Sequence, residues 1–275
     1  MARGRNIRYI SPKGNVWPLH GEGMGTKGIY LTSFSGLYHP VRVPVVLTPA
    51  YMRGAIPGTP KTDVAKIGMK VFTTAETPEE WERVESRWWN DWSDEEDGTL
   101  VVESLSTGTT RWQPIRIETF PDDPFDWEPE TEMDWTMPCI SYSPGWRGQL
   151  LKASATGTGM TKIKLANPGD TEVWPRFSGD PVPGLRLPDG IGGDLVDIKS
   201  AQYDPENGEW LVVTDQLDVT VEDMANSQVV ALLAGMMFRN PIPANTPVTE
   251  VDIDLGPTNT TIRVHMEPLY QRPWG

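Results

Sequence analysis

Cysteine is nearly absent from this chain of 275 residues, and Cys139 stands alone. A single thiol excludes an intramolecular disulfide framework and any cysteine-rich zinc site. Histidine is almost as scarce: His20, His39 and His265 are scattered, and none has the spacing of a metal ligand. No apolar run approaches the roughly eighteen residues of a membrane-spanning helix. The opening residues, Met1 to Arg8, are basic but lead into no continuous apolar segment, which argues against a secretory signal. Basic side chains are in deficit, 24 Lys and Arg against 38 Asp and Glu, for a net charge of −14. Nucleic acid is therefore not an expected partner, because phosphate contacts need clustered cations. Catalytic signatures are missing too. There is no Gly-x-Ser-x-Gly elbow and no protease signature around Cys139. The glycine-rich stretch Gly21 to Gly28 lacks the Ser or Thr that should follow Lys27-Gly28 in a phosphate loop, so it reads as a loop or a subunit contact.

What is present is punctuation. Glycine and proline number 26 each and are spread along the chain without a tandem tract. Such spacing suits short strands joined by many turns, and the chain reads as mainly β. Its length fits one large or two ordinary domains. Residues 29–31, 41–47 and 64–73 read as strands, with Pro44 making the second an edge or a bulge. Residues 51–61 read as an extended loop. One helix is expected from Thr77, which can cap it, with Pro78 in the first turn and Glu80 completing a capping box. Trp81, Val84, Trp88 and Trp92 follow at helical spacing, and Asp94 to Gly98 closes the helix. Those acids do not make a calcium loop, because the sixth position counted from Asp91 is Glu96 rather than glycine. Residues 99–102 and 110–118 read as a hairpin with Gly108 in the connection. Residues 121–130 read as an acidic surface loop and 131–142 as a further strand.

A joint at Ser143 to Gly148 places the domain boundary, giving domains 1–150 and 151–275. The second has candidate strands at 162–165, 172–177, 184–187, 195–198, 209–214, 248–253 and 261–266. A hairpin is expected at Asp204-Pro-Glu-Asn-Gly208 and a short helix between Asp223 and Gly235. About seven strands at this spacing indicate a sandwich or jelly roll. The run Asn167-Pro-Gly-Asp-Thr-Glu-Val-Trp-Pro-Arg-Phe-Ser-Gly179 reads as a turn followed by a strand carrying Trp174 and Pro175.

Charge and aromatic content are uneven. Residues 1–70 hold ten Lys and Arg against two acids, a net of +8; residues 71–134 hold nineteen acids against four Arg, a net of −15. These stretches either neutralise each other within one domain or meet between neighbouring subunits of a ring. Eight of the twelve tryptophans fall between Trp81 and Trp146, which suits a core, a subunit interface or a sugar platform. Glu128, Glu130, Glu132 and Asp134 lie among Trp127 and Trp135. They read either as a solvated acidic loop or as the carboxylate pair of a glycosidase.

The order of short motifs resembles a known family. Asn167 to Phe177, Leu187-Pro-Asp-Gly190, Glu209-Trp-Leu-Val-Val-Thr-Asp215, Arg239-Asn-Pro-Ile-Pro-Ala-Asn-Thr246 and Tyr270-Gln-Arg-Pro-Trp274 are similar to stretches of phage distal tail proteins, the minor tail proteins of siphoviruses infecting actinobacteria. Gly98-Thr-Leu100 and Arg111 to Ile117 also fit. The resemblance implies a β-barrel-like, ring-forming first domain with one helix, followed by a galectin-like β-sandwich. It implies a structural virion protein without enzyme activity or cofactor. Its place would be a ring, commonly of six copies, at the distal tail tip, assembled in the host cytoplasm. The implied partners are further copies of itself, the tail tube protein, the tape measure protein, and tip hub and receptor-binding proteins. A carbohydrate-binding tail adhesin acting through the sandwich is the alternative. No catalytic, cofactor or metal residue is assigned.

Overall fold

The structure, a computed structural model, describes residues 4–48, 51, 53–58, 60–122, 130–180, 182–198, 209–215, 221–223 and 237–275. The expected hairpin at Asp204 to Gly208 and the expected helix after Asp223 lie outside these residues, as do Trp127 and Glu128. The chain divides into two compact units, one of Met1–Arg147 with Gln271–Gly275, the other of Gly148–Tyr270. Both are built from strands, and the described residues hold one α-helix.

The first unit contains β1 (Arg5–Ile10), β2 (Val16–His20), β3 (Ile29–Ser35), β4 (Arg42–Val43), β5 (Val46–Leu47), β6 (Ile56–Pro57), β7 (Lys61–Thr62) and β8 (Ala65–Thr74). The helix α1 (Pro78–Asn90) follows, then β9 (Gly98–Ser104), β10 (Thr109–Ile117), β11 (Glu132–Ser141) and β12 (Trp146–Arg147). Seven strands pair in the order β2-β1-β9-β10-β11-β8-β3, all antiparallel. The sheet curls enough to bring its two end strands, β2 and β3, side by side. The turning strand is β10, which pairs with β9 from Thr109 to Ile115 and passes to β11 at Arg116 and Ile117. Pro114, which has no N–H to give a ladder, sits just before this transfer.

Alternation puts one face of each strand inside. Ile67, Met69 and Val71 of β8, and Trp135, Met137 and Cys139 of β11, are all buried. The helix covers this core. Thr77 caps it, its hydroxyl accepting from the Glu80 N–H at 3.2 Å, and Trp81, Val84 and Trp88 are its buried stripe. The helix stops at Asn90, earlier than the sequence suggests. Asp91 is drawn out of helical duty: its carboxylate accepts from Trp17 Nε1 at 2.6 Å and Asn15 Nδ2 at 2.9 Å. Trp92 lies past the helix end yet remains buried, stacked on Tyr9 at 4.0 Å. Trp88 is in edge contact with Tyr9, Trp17 and Trp92 at 5.2 to 6.1 Å, so four aromatic rings from three segments close this end of the core.

Two further readings change. Residues 41–47 are not one strand, because Pro44 and Val45 separate β4 from β5. Residues 51–61 are not a plain loop, because they carry β6 and the start of β7. These pair back onto β5 and β4, forming an arm between β3 and β8.

The second unit contains β13 (Leu151–Gly157), β14 (Met160–Asn167), β15 (Arg176–Gly179), β16 (Arg186–Pro188), β17 (Leu195–Asp197), β18 (Trp210–Val213), β19 (Val221–Asp223), β20 (Thr246–Asp254) and β21 (Thr260–Met266). A five-stranded sheet, β13-β21-β15-β18-β19, and a four-stranded sheet, β14-β20-β16-β17, enclose one core. Phe177, Trp210, Val212, Ile262 and Val264 come from the first sheet, and Ile163, Leu165, Leu187 and Ile253 from the second. A two-sheet sandwich of this kind buries its inner alternate residues and leaves the outer ones polar. The outer face of β14 and β20 follows that rule: Lys162 pairs with Asp252 at 3.4 Å and Lys164 lies opposite Glu250.

Candidate functional site

Of the carboxylates singled out as a possible sugar-cleaving pair, Glu130, Glu132 and Asp134 are described. On β11, Glu132 and Asp134 point outward and are exposed, while Trp135 points inward and packs edge-on against Trp89 at 5.1 Å. Period-two geometry separates the acids from the aromatic ring they adjoin in sequence. Glu130 is exposed as well.

The glycine-rich stretch joins β2 to β3. Gly28 has φ 76°, and a Cβ there would meet the Thr74 carbonyl oxygen at 2.5 Å. The Thr74 N–H donates to that glycine's own carbonyl at 2.8 Å. The absent side chain serves close backbone approach. His39 Nδ1 lies 3.1 Å from Gln271 Oε1. His265 is held below the usual imidazole range by burial and then by Lys152, Arg263 and Arg176. Among the described residues no three His, Cys, Asp or Glu side chains gather as a metal site, and no helix is long and apolar enough to cross a membrane.

Cys139 is 1% exposed, and burial, reinforced by Glu118, pushes its thiol up to about 12. The thiolate is the reactive form, so this cysteine is inert while the unit is folded. A disulfide reagent at pH 8 is expected to label almost none of it in native protein. In denaturant, one equivalent should react; rapid native labelling would contradict the burial.

Three surface features of the first unit remain. The first is the arm. Val43 lies opposite Lys61 and Leu47 opposite Ile56, and every residue of β4, β5, β6 and β7 is exposed. Val41, Val43, Val46, Leu47 and Ile56 are 43 to 60% exposed, and Tyr51 is fully so. The second is an acidic rim where α1 begins. The Ala75 N–H donates to the Thr131 carbonyl at 3.0 Å, and Glu132 lies opposite Thr74. These links gather Glu76, Glu79, Glu80, Glu130 and Glu132, all exposed, around one end of β8. The third is a cleft of about 880 Å³ lined by Arg5, His20, Phe34, Tyr38, Ser106 and Trp274. Trp274 is held there by the Arg5 guanidinium, 3.5 Å from its ring, and by Tyr38 edge-on at 5.1 Å. Buried Arg111 fixes the same segment, donating to the Arg272 carbonyl at 2.8 Å and the Gly275 carbonyl at 2.7 Å.

In the second unit the run from Asn167 holds a structural residue that its turn-like sequence conceals. Asn167 is fully buried. Its Nδ2 donates to the carbonyls of Thr171, Ile242 and Pro243 at 2.8, 3.1 and 3.1 Å, and its Oδ1 accepts from the Gly169 N–H at 2.9 Å. The strand that follows starts at Arg176, so Trp174 and Pro175 precede it rather than lie within it. Trp174 packs on the sandwich core, and the Pro175 carbonyl accepts from the Thr214 hydroxyl at 2.7 Å.

No protein-family model and no curated protein sequence matches the chain. Solved structures do. The Dit protein of phage SPP1, described as a paradigm of the hub adsorption apparatus of phages infecting Gram-positive bacteria, aligns over 95% of this chain and 98% of its own, with a TM-score of 0.61 and 12% identity. A chain of the phage P2 baseplate in its activated conformation with Ca aligns over 98% of both, with a TM-score of 0.54 and 12% identity. The corresponding structure with Sr covers 96% of this chain and 98% of its own, with a TM-score of 0.53 and 11% identity. At such identities the likeness is one of fold, and it runs the length of the chain: this mainly β protein has the fold of phage hub and baseplate proteins.

Proposed function

We propose that the chain is a structural subunit of a phage tail tip, several copies of which form a ring at the distal end of the tail. The observation that carries this reading is the end-to-end match to the SPP1 hub protein, which spans both units rather than one widespread sandwich. A fold alone does not fix a function, but a match that covers two successive units is harder to reach by convergence than a single common fold. The surface points the same way. Its prominent features among the described residues are an arm, a charged rim and an aromatic cleft. In this reading the protein is a minor tail protein of a siphovirus infecting actinobacteria, and its ring has six copies. It joins the tail tube and tape measure proteins to tip hub and receptor-binding proteins. The chain is assembled in the host cytoplasm, resides in the virion, and performs no catalysis of its own.

A sugar-binding role for the second unit would need an exposed aromatic platform. Its described tryptophans are Trp210, which is buried, and Trp174, which packs on the core. No described residue favours that alternative.

Electron microscopy of virions carrying an epitope tag on this chain, decorated with gold-labelled antibody, tests the proposal. Gold at the tail end distal to the capsid is expected. Gold on the capsid, or virions lacking the protein altogether, would overturn it.

A further inference from the structure

The described strand residues of the arm are all exposed in the isolated chain. A two-stranded ribbon is marginal in water unless something covers it. This one presents Val41, Val43, Val46, Leu47, Tyr51 and Ile56 to solvent. Together they offer several hundred Å² of largely apolar surface, on the order of the largest patch a typical monomer shows and close to one side of a standard interface. The arm is also net basic. Between Val41 and Asp63 it carries Arg42, Arg53 and Lys61 against one acid, Asp63 at its base, whose N–H donates to the Val41 carbonyl. Among the described residues none of these three cations, and none of the five rim acids, forms an ion pair.

The positions of arm and rim decide how they can meet. The arm leaves the sheet where β3 ends and returns where β8 begins, at Ala65. The rim lies where β8 ends, at Thr74. Ten residues of extended strand separate the two, roughly 30 Å at strand rise. The leg of the arm from Val41 to Leu47 spans only about 20 Å by the same measure and starts from the far end. A basic, apolar arm at one end of a strand and an acidic rim at the other are complementary surfaces on a single chain. Contact between unlike patches of identical copies is heterologous, and it closes into a ring when the rotation permits.

We propose that the arm of one copy lies across the acidic rim of the next, so that copies associate head to tail. The contact rests on the ring reading above and identifies the surfaces that make the ring. The aromatic cleft is the poorer receptor for the arm, because Arg5 lines it and would face like charge.

Disulfide trapping in the full-length chain tests this. Val46→Cys places a thiol on the arm and Glu79→Cys one on the rim; both positions are exposed, so the fold should persist, as an unchanged Tm would verify. The native Cys139 is buried and does not interfere. At high protein concentration under mild oxidation, the double variant is expected to give a non-reducing ladder extending past the dimer, while each single variant stops at dimer. Adding Arg42→Glu, Arg53→Glu and Lys61→Glu should lower the ladder yield by about tenfold or more, since three exposed attractions become repulsions. Glu79 being used for trapping, Glu76→Lys, Glu80→Lys and Glu130→Lys in the same chain should restore it. A double variant giving nothing beyond the two single variants, or a charge reversal without effect, would overturn the contact. Failure here leaves the tail-tip reading to the gold-labelling experiment. A ladder without tail-end gold would instead keep the contact and discard the tail assignment.

Discussion

Trp88→Ala is expected to destabilise the first unit by about 3–5 kcal/mol, the range for truncating a fully buried tryptophan. Trp88 has no solvent exposure and is the common neighbour of Tyr9, Trp17 and Trp92. Those rings come from β1, β2 and the segment after α1, so the cavity would open where helix and sheet are joined. Local collapse is limited because two neighbours are fixed from outside the cluster. The Tyr9 hydroxyl donates to the Asp91 carbonyl at 3.0 Å, and the Trp17 indole N–H to its carboxylate at 2.6 Å. Trp88→Phe is the informative control. It keeps most of the ring contact and removes an indole N–H that has no acceptor among the protein atoms, so it should cost clearly less. Urea unfolding followed by tryptophan fluorescence reports mainly on this unit, because most tryptophans lie in it. A loss below about 1 kcal/mol for Trp88→Ala would mean that the site collapses freely and the cluster is not rigid.

Asn167→Ala is expected to cost the second unit about 2–4 kcal/mol. The substitution removes a donor from three backbone carbonyls and the acceptor of one N–H. The Ile242 and Pro243 carbonyls keep the Val173 N–H and the Thr246 hydroxyl, so the loss falls mainly on the Thr171 carbonyl and the Gly169 N–H. An unsatisfied buried polar group costs about 1–3 kcal/mol. Asn167→Asp should be worse than alanine despite its near-identical shape. It preserves acceptance from Gly169 but turns a negative oxygen toward the carbonyls of Thr171, Ile242 and Pro243 in a buried site. Thermal unfolding of the three proteins ranks them. An aspartate more stable than the alanine would show that water reaches the site and the carbonyls are not confined.

These two residues mark what the sequence could and could not reveal. The helix was legible because its signals are local: a capping threonine, a proline in the first turn and a tryptophan stripe within fifteen residues. The strands of the second unit were legible for the same reason, with β14, β18, β20 and β21 showing clear apolar runs or alternation. Other strands were not, β1, β2 and β13 among them. In β1 the alternation of Ile7 and Tyr9 with Asn6 and Arg8 was present, but the basic opening was weighed only as a secretory signal. Pro18 interrupts β2, and β13 is built from small residues with little contrast. The arm was missed as an element because two-residue ribbons have no period to detect. Of the surface features, the charge split between residues 1–70 and 71–134 was plain, but not that three of its ten cations and five of its nineteen acids lie toward opposite ends of one strand. The role of Asn167 could not be read at all, since two of its acceptors lie about 75 residues away. An asparagine before Pro-Gly looks like any other turn.

The return of Gln271–Gly275 to the first unit makes synthesis time part of this protein's assembly. The whole second unit, 123 residues from Gly148 to Tyr270, is an insertion between the body of the first unit and the segment that completes it. At translation rates of about 5–20 residues per second, that interval lasts roughly 6–25 seconds. Until it ends, Arg111 lacks the carbonyls of Arg272 and Gly275, and Arg5 and Tyr38 lack the Trp274 ring. The arm emerges from the ribosome some two hundred residues ahead of that clasp, so its exposed apolar residues are present on a nascent chain whose first unit is unfinished. Truncated chains never acquire the clasp. The last contacts of the first unit are thus made only after the whole second unit has been synthesised.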